Sequence, residues 1–383
     1  KQALEVVVAG LRRLEYRGYD SAGVAVISEG RLEVRKKAGK LVNLETLIGQ
    51  DPLPQSTTGL GHTRWATHGG PTDHNAHPHV SDDGRIAVIH NGIIENFAPL
   101  RDELIAAGVM LSSETDSEIV AHLLARALPE VDQDLAAAMQ SVCPRLEGAF
   151  TLVAMDPNDP SLVVGARRNS PLVVGLGEGE NFLASDVAAF VDHTRNALEL
   201  GQDQIVVVRA DGVEVRDFAG TEVEAKPYVV DWDASAAEKG GYDLFMLKEI
   251  AEQPKAVADA LRGRIDAEQR IKLDETALDD AVLRDITKVV VVACGTAAHA
   301  GMVAKYAIEH WTRLPVDVEL ASEFRYRDPI VGPDALVIAI SQSGETMDTL
   351  MALRHAKAQG ARTLAICNTV GSTIPRESDA VLY

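Results

Sequence analysis

The segment between residues 62 and 69 gathers side chains that could bind a small polar substrate. It reads His62-Thr63-Arg64-Trp65-Ala66-Thr67-His68-Gly69, and such residues seldom cluster for packing reasons alone. Arg64 carries a planar fork of N–H donors that matches a carboxylate. The alternative is that Arg64 pairs with an acidic side chain of the protein itself, and this segment alone leaves both interpretations open.

Two further segments carry groups that would complement a bound amino acid. In His90-Asn91-Gly92, which follows a predicted strand, a side-chain amide next to a backbone N–H could stabilise an oxyanion. Asn-Gly is also a common turn sequence, and taken alone the turn is the better explanation. In Glu114-Thr115-Asp116-Ser117, Asp116 could accept hydrogen bonds from a substrate ammonium, or Asp116 or Thr115 could cap the following helix.

A hydroxyl-rich segment, Ser341-Gln342-Ser343-Gly344-Glu345-Thr346, stands between a predicted parallel strand and a helix. Free backbone N–H groups and the positive end of the helix dipole make such a turn an anion site. Hydroxyls in place of lysine, without a GxxxxGK[ST] sequence, indicate a phosphate on a small molecule bound without Mg²⁺. The alternative is a polar turn whose hydroxyls only cap the helix. Cys294-Gly295-Thr296 follows a neighbouring strand and favours phosphate binding, since both loops could face one ligand.

Composition and charge exclude several classes of function. The 383 residues include 37 Lys and Arg against 57 Asp and Glu, a net charge of −20 that disfavours nucleic acid as a partner. No apolar run approaches the roughly 18 residues that cross a membrane. Three cysteines without CxxC spacing indicate a reducing compartment, so we expect the cytoplasm. His74, His77 and His79 invite a zinc assignment, but no HExxH or paired-Cys spacing supports it, and we expect no metal and no cofactor.

The spacing of apolar residues divides the chain into two regions. Up to about residue 228, short strands separated by Gly, Asn and Asp turns mix with a few helices, which is typical of an α+β layered domain. Residues 229–241 lack periodicity and are predicted to form a linker. From 242 to 383, apolar strands alternate with helices, which indicates an α/β domain with a doubly wound parallel sheet.

The predicted strands of the first region are 23–27, 85–90, 149–155, 162–166, 172–176 and 204–209, and its predicted helices are 2–14, 98–107 and 117–127. The predicted strands of the second region are 288–293, 335–340 and 362–367, and its predicted helices are 244–262, 297–311 and 347–359. A helical pattern begins at the first residues without a cap, and the last five residues have the pattern of a strand, so we expect a fragment of a longer protein.

A set of motifs, in order along the chain, closely resembles the glutamine–fructose-6-phosphate aminotransferase family, the glucosamine-6-phosphate synthases. In the first region the motifs are Leu14–Ser21, His62–Gly69, Asn75–His79, His90–Asn96 and Glu114–Asp116. In the second region they are Lys248–Pro254, Ala293–Thr296, Ala321–Arg327 and Ser341–Thr346. The resemblance covers essentially the whole chain.

The resemblance implies a fold and a reaction. The family joins an N-terminal-nucleophile glutaminase domain, an αββα sandwich, to two sugar-isomerase (SIS) domains. Residues 1–228 would then be a class II glutamine amidotransferase domain, and residues 242–383 an incomplete first SIS domain. L-Glutamine would release ammonia, an internal channel would carry it to D-fructose 6-phosphate, and D-glucosamine 6-phosphate and L-glutamate would form, the first step of UDP-N-acetylglucosamine synthesis. The resemblance also implies a homodimer for the full-length protein.

Carried over residue by residue, the resemblance assigns roles in both domains. Arg64 would bind the glutamine carboxylate, and Asp116 would bind its ammonium. The other residues of that site would be Thr67 and His68 in the pocket wall, Asn91 and Gly92 as the oxyanion hole, Trp65 as the channel gate, and Arg17 and Tyr19 in a mobile loop over the glutamine. The residues that would hold the sugar phosphate are Thr296, Ser341, Gln342, Ser343 and Thr346.

The chain departs from the family pattern at the nucleophile. The family uses an N-terminal Cys whose free α-amine serves as base. No such segment occurs here, and Cys143, Cys294 and Cys367 occupy unrelated positions. Ala297 also stands where the family commonly has Ser, and the second SIS domain is missing. We therefore expect that the chain as written does not hydrolyse glutamine.

Two other functions compete with this interpretation. Another class II amidotransferase, such as a phosphoribosyltransferase, would need an acidic diphosphate-binding loop where Ser341–Thr346 stands. A noncatalytic sugar-phosphate-sensing module would keep that loop but would not need Arg64 and Asp116, which are both present.

Overall fold

The computed structural model describes residues 2–15, 18–64, 69–230, 242, 244–261, 264–265, 271, 280–369 and 372–383. The chain forms two compact units, Lys1–Phe245 and Met246–Tyr383. Most of the predicted linker, from residue 231 to residue 241, lies outside the described residues. Among the described helices, none combines the length and the apolar character that crossing a membrane requires.

The first unit mixes five α-helices with thirteen strands over its described residues. The helices are α1 (Ala3–Leu14), α2 (Leu41–Gln50), α3 (Phe97–Ala106), α4 (Glu118–Ala127) and α5 (Leu135–Val142). The strands are β1 (Ser21–Ser28), β2 (Arg31–Ala38), β3 (Gly59–Arg64), β4 (His79–Val80), β5 (Ala87–Ile94), β6 (Gly148–Met155), β7 (Val163–Arg168), β8 (Val173–Leu176), β9 (Asn181–Ala184), β10 (Asn196–Glu199), β11 (Gln204–Arg209), β12 (Gly212–Asp217) and β13 (Lys226–Val229). Their order is β2-β1-β3 in one sheet, β12-β11-β7-β6-β5-β4 in a second and β13-β10-β8-β9 in a third, with antiparallel neighbours throughout.

The three-stranded sheet, the six-stranded sheet and the helices outside them form four layers. The alternation of side chains along β1 sends Ala22 and Val24 toward α1 and α2, whereas Ala25 and Ile27 pack against the six-stranded sheet. The opposite face of the six-stranded sheet, which includes Val88, packs against α4 and α5. Helix, sheet, sheet and helix therefore follow one another, and the predicted α+β sandwich is confirmed.

The second unit is built on one parallel sheet. Its strands are β14 (Lys288–Ala293), β15 (Val316–Leu320), β16 (Ala335–Ser341), β17 (Arg362–Cys367) and β18 (Ala380–Leu382), and its helices are α6 (Phe245–Leu261), α7 (Asp280–Arg284), α8 (Gly295–Thr312), α9 (Ala321–Tyr326), α10 (Met347–Ala358) and α11 (Thr373–Glu377). The order β15-β14-β16-β17-β18 is parallel throughout, so the predicted parallel-sheet domain is confirmed.

The strand order places a switch point between β14 and β16. These strands are neighbours in the sheet, although β15 separates them in the chain and lies at the edge. In doubly wound sheets, ligands bind outside the carboxyl ends of the strands where the order reverses. The loops that follow β14 and β16 are therefore the expected binding loops of this unit.

Candidate functional site

Strand β3 presents two residues of the candidate site on one face. Its buried residues alternate, so Leu60, His62 and Arg64 point the same way. Leu60 packs in the core between the two sheets, and this fixes the face that the other two share. One short strand therefore aims both His62 and Arg64 into the interior.

Arg64 is buried and engaged with backbone carbonyls. Its guanidinium donates hydrogen bonds to the oxygen of Gly69 (3.2 Å) and that of Gly70 (3.3 Å). Burial lowers the pKa of Arg64, and the charges of Asp116 and Asp20 act against that change. A buried guanidinium that feels the charge of a buried carboxylate, Asp116, is suited to recognise a ligand that carries both charges.

Asn75 joins the loop that Arg64 contacts to the segment that carries Asp116. Its Nδ2 donates to the carbonyl of Gly70 (3.1 Å) and to Oε2 of Glu114 (3.2 Å). Its Oδ1 accepts a hydrogen bond from the backbone N–H of Glu114 (3.0 Å). Because Asn75 is buried, these bonds satisfy its amide and hold the two segments at a fixed separation.

Asp116 is buried just before α4, and its carboxylate is oriented by protein donors. Oδ2 accepts from the N–H of Ile94 (2.8 Å) and Oδ1 from the hydroxyl of Ser117 (3.3 Å). The N-cap residue of α4 is Ser117, so the predicted cap is wrong for both Thr115 and Asp116. Oγ1 of Thr115 accepts from the N–H of Glu118 (3.3 Å), and the carboxylate of Asp116 bonds to β5. The remaining lone pairs of Asp116 can accept from an ammonium.

Glu118 fixes the segment ahead of Asp116. Its two carboxylate oxygens accept from the N–H and the hydroxyl of Ser112 and of Ser113, each at 2.7 Å. Burial raises the pKa of Glu118, but hydrogen bonds from His122 and the two serines outweigh burial and hold it well below its usual range. The charged form of Glu118 therefore stabilises the position of Asp116.

Asn91 and Gly92 lie within β5 and pair with β6, so the predicted Asn-Gly turn is wrong. Asn91 is half-buried, and its Oδ1 forms a hydrogen bond with Nε2 of His62. Gly92 has a φ of +130°, and a Cβ there would lie 2.0 Å from the carbonyl oxygen of Ala149. Only glycine fits this position, since any side chain would collide with the facing strand.

Three buried histidines pack against one another beside these groups. The ring of His62 stacks on His77 with centroids 4.4 Å apart, and His77 meets His79 edge to face at 4.8 Å. Burial is the main cause that lowers the pKa of His62 to about 4, that of His79 to about 3, and that of His77 well below 6.5. The rings are therefore neutral at pH 7. Within the described ranges, no group of three or more His, Cys, Asp and Glu side chains could hold a metal ion.

Several residues predicted for this site cannot be placed in it. Tyr19 precedes β1 and is 48% exposed. Four others, Arg17, Trp65, Thr67 and His68, lie outside the described residues. Cys143 is the only cysteine before residue 246, and it is fully buried in the core under α4 and α5, where burial raises its pKa far above the ordinary value. This thiol is not suited to act as a nucleophile.

In the second unit, the hydroxyl-rich segment 341–346 joins β16 to α10. The hydroxyl oxygens of Ser341 and Thr346 are 3.0 Å apart, and Ser341 Oγ accepts from the N–H of Gly344 (3.0 Å). Ser343 Oγ accepts from the N–H of Glu345 (3.2 Å), which leaves its O–H able to donate to an anion. Thr346 is the N-cap residue of α10, but its side chain makes no capping bond to that helix. The alternative of simple capping is wrong for Thr346.

Thr296 lies at the neighbouring carboxyl end, after β14. Helix α8 begins at Gly295, two residues earlier than predicted, so Thr296 belongs to its first turn and not to a loop. Cys294 Sγ lies 3.9 Å from Oγ1 of Thr349 in the first turn of α10, which links the two segments directly. Thr296 and Gln342 are exposed, whereas Ser341 is buried and its hydroxyl is engaged with Gly344 and Thr346.

Acidic side chains near segment 341–346 are engaged by other groups. Oε1 of Glu345 accepts from the N–H (2.8 Å) and the hydroxyl (3.1 Å) of Thr373. Asp348, in the first turn of α10, pairs with Arg325 at 3.3 Å. These contacts offset negative charge that would otherwise oppose a bound phosphate.

Several residues that hold the candidate site together had no predicted role. They are His62, Asn75, Glu118 and Lys36. Nζ of Lys36 donates to the carbonyls of His74 (3.2 Å), Ala76 (2.8 Å) and Pro78 (3.3 Å). His62 lies on a strand that was not predicted, and the contacts of Asn75 and Lys36 join distant parts of the chain, so no local signal could have found these residues.

Comparison with known proteins adds two family matches. Residues 62–192 match the model of the glutamine amidotransferase domain, and residues 282–383 match that of the SIS domain. A solved glutamine phosphoribosylpyrophosphate amidotransferase from B. subtilis aligns with 96% of this chain and 80% of its own at a TM-score of 0.52. At 17% identity this likeness shows the fold alone.

Curated relatives match the whole chain in sequence. The glutamine–fructose-6-phosphate aminotransferase [isomerizing] of Streptomyces coelicolor is 70% identical over 383 residues, which are 100% of this chain and 62% of that relative. The enzyme of the same name from Corynebacterium diphtheriae is 62% identical over 382 residues, again 100% of this chain and 61% of the relative. The chain thus spans about three-fifths of the length of these relatives. Over its whole length the chain is similar in sequence to glutamine–fructose-6-phosphate aminotransferases, and it carries matches to a glutamine amidotransferase domain and to a SIS domain.

Proposed function

We propose that this chain is part of an enzyme that transfers the amide nitrogen of L-glutamine to D-fructose 6-phosphate. The products are D-glucosamine 6-phosphate and L-glutamate. The observation that carries the proposal is that one chain combines a buried Arg64–Asp116 arrangement with a lysine-free hydroxyl loop at a sheet switch point. The first suits an α-amino acid, and the second suits a sugar phosphate. The named relatives support the same pairing of substrates.

For glutamine, we assign the carboxylate to Arg64 and the ammonium to Asp116. Asn91 and Gly92 act as the oxyanion hole, because they lie on the strand whose Ile94 also positions Asp116. The remaining assignments are Thr67 and His68 to the pocket wall, Trp65 to the channel gate, and Arg17 and Tyr19 to the loop over the substrate.

For the sugar phosphate, we assign Thr296, Ser341, Gln342, Ser343 and Thr346. Helix α10 has twelve residues, and the positive end of its dipole faces the segment that contains most of these donors. Neutral donors and a helix dipole hold the phosphate without a metal ion, so we propose neither a metal nor a cofactor.

The proposal includes the organisation of the protein. Residues 1–228 form the glutamine amidotransferase domain, residues 229–241 the linker, and residues 242–383 the first SIS domain. The full-length protein is a homodimer in the cytoplasm and binds no nucleic acid.

The test uses the full-length protein with fructose 6-phosphate and glutamine that carries heavy nitrogen in its amide. Mass spectrometry should find the label in glucosamine 6-phosphate. Asp116→Asn should raise the KM for glutamine about tenfold or more, because the substrate ammonium loses a charged partner. Asp102→Asn, at an exposed carboxylate of α3, is the matched control and should change nothing. Fructose 6-phosphate binding without label transfer would contradict the proposal and favour a sugar-phosphate sensor.

A further inference from the structure

A hydrogen bond crosses the interior between the two facing sheets of the first unit. It joins Nε2 of His62, on β3, to Oδ1 of Asn91, on β5. His62 is buried and its ring stacks on His77, so the direction of Nε2 is fixed. Asn91 shares its face of β5 with Ala87, which lies in the core between the sheets. The contact is therefore a rigid link between facing strands.

The partners of the ring define which nitrogen of His62 carries the proton. A neutral imidazole has one N–H donor and one bare acceptor nitrogen. Burial keeps His62 neutral at pH 7. Nε2 of His62 meets the carbonyl oxygen of Asn91, which can only accept, so a hydrogen bond between these two atoms needs an N–H at Nε2. The proton therefore resides on Nε2.

This bond selects one orientation of the Asn91 side chain. With Oδ1 held by His62, the Nδ2 group points the other way and keeps its two N–H donors for another acceptor. An oxyanion hole needs N–H donors fixed in advance, since a carbonyl oxygen in their place would repel the developing negative charge. Rotation of the amide by half a turn would exchange the two ends, and the bond to His62 opposes that rotation.

We propose that His62 is a positioning residue for glutamine hydrolysis, which holds Asn91 so that its amide N–H faces the oxyanion. The inference rests on the proposed function, because it requires Asn91 to act in the oxyanion hole. In this proposal His62 acts on the reaction through its hydrogen bond to Asn91.

Steady-state glutamine hydrolysis by the full-length protein tests the inference. His62→Phe keeps a stacked ring but removes the donor, and kcat should fall about 100-fold while the KM for glutamine changes less than about twofold. His62→Gln places an amide N–H near the former Nε2 and should recover most of the rate. His62→Asn, whose amide is too short to reach, should not. Equal rates for the Gln and Asn variants would overturn the inference, even if the Phe variant does not fold.

A double-mutant cycle separates positioning from packing. If His62 acts through Asn91, then His62→Phe with Asn91→Ala should be no slower than Asn91→Ala alone. His79→Phe is the matched control, since His79 is a buried ring of the same group that bonds to Oγ1 of Thr115 (3.0 Å) instead. Its effect should combine additively with Asn91→Ala. Additive effects of His62→Phe and Asn91→Ala would overturn the inference, whereas a full rate in Asn91→Ala would instead overturn the proposed role of Asn91.

Discussion

At the scale of single residues, Gly344 shows how closely the proposed phosphate loop is fitted to its neighbours. Its φ is +67°, and a Cβ there would lie 1.8 Å from Oγ of Ser372. Its N–H donates to Ser341, and its carbonyl accepts from the N–H of Ile374 (2.9 Å). The glycine therefore allows the loop to approach the segment before α11, and both strain and collision exclude other residues.

The hydroxyls around Gly344 are the residues on which sugar-phosphate affinity should depend. Ser343→Ala with Thr346→Ala should weaken fructose 6-phosphate binding about 10²- to 10⁴-fold, because the double variant removes two hydrogen bonds to a charged group and each contributes about 1.5–3 kcal/mol. Isothermal titration of the full-length protein measures the affinity. Thr312→Ala, at the exposed end of α8, is the control and should leave the affinity unchanged. Equal affinities for all three proteins would show that the phosphate binds elsewhere.

At the scale of elements, the glutamine site depends on segments that are distant in the chain. The loop after β3 reaches the segment before α4 through Asn75 and Glu114, and that segment reaches β5 through Asp116. No single element contains the site. Its geometry therefore depends on the side-chain hydrogen bonds between elements as much as on the elements themselves.

Asn75→Ala tests this dependence on contacts between elements. It removes all three bonds to Gly70 and Glu114, so the separation of Arg64 and Asp116 should relax and the KM for glutamine should rise about tenfold. Steady-state kinetics of glutamine hydrolysis gives the value. Asn43→Ala is the matched control, because Asn43 makes one exposed bond to the carbonyl of Ala38 (3.0 Å). An unchanged KM in Asn75→Ala would mean that the backbone alone sets the separation.

The elements themselves were predictable to different extents. Strands β14 and β16 were predicted correctly, because continuous runs of Val, Ile and Ala are typical of parallel strands that are buried on both faces. Strands β2 and β3 were missed, since Arg31–Ala38 is rich in charge and Gly59–Arg64 contains two glycines. Arg64 and Asp116 were found by chemical type. The bonds of Asn75 and His62 were not, because pairing over 29 or 39 residues leaves no local pattern.

At the scale of the whole molecule, the net charge of −20 does not oppose phosphate binding in the proposal. Local donors of segment 341–346 would hold the anion, and nearby carboxylates are bound by Thr373 and Arg325.

Acid should destabilise the first unit through its buried histidines. In the folded protein, burial is the main cause that lowers the pKa of His62 to about 4 and that of His79 to about 3. In the unfolded chain the pKa of a histidine is about 6.5. The unfolded chain binds these protons first, so the stabilisation is complete above pH 6.5 and is lost as the pH falls toward 4. The two rings together should cost about 2 kcal/mol between about pH 6.5 and 5.5.

Urea denaturation with hydrogen exchange of the amides of β5 and β6 measures this loss in the first unit. His79→Gln should remove about a third of the pH dependence, because the buried rings of His62 and His77 contribute the rest. His74→Gln, at an exposed histidine, should leave it intact. A stability that does not change between about pH 6.5 and 5.5 would contradict the prediction.

The register of β3 also limits where related proteins can gain or lose residues. His62 pairs in register with Gly23 and Arg64 with Ser21, and both side chains share one face. Inserting one residue between Gly59 and His62 would turn both side chains to the opposite face at once. Insertions and deletions should therefore be absent within this strand among active relatives and should accumulate in the exposed connection of residues 51–58 that precedes it.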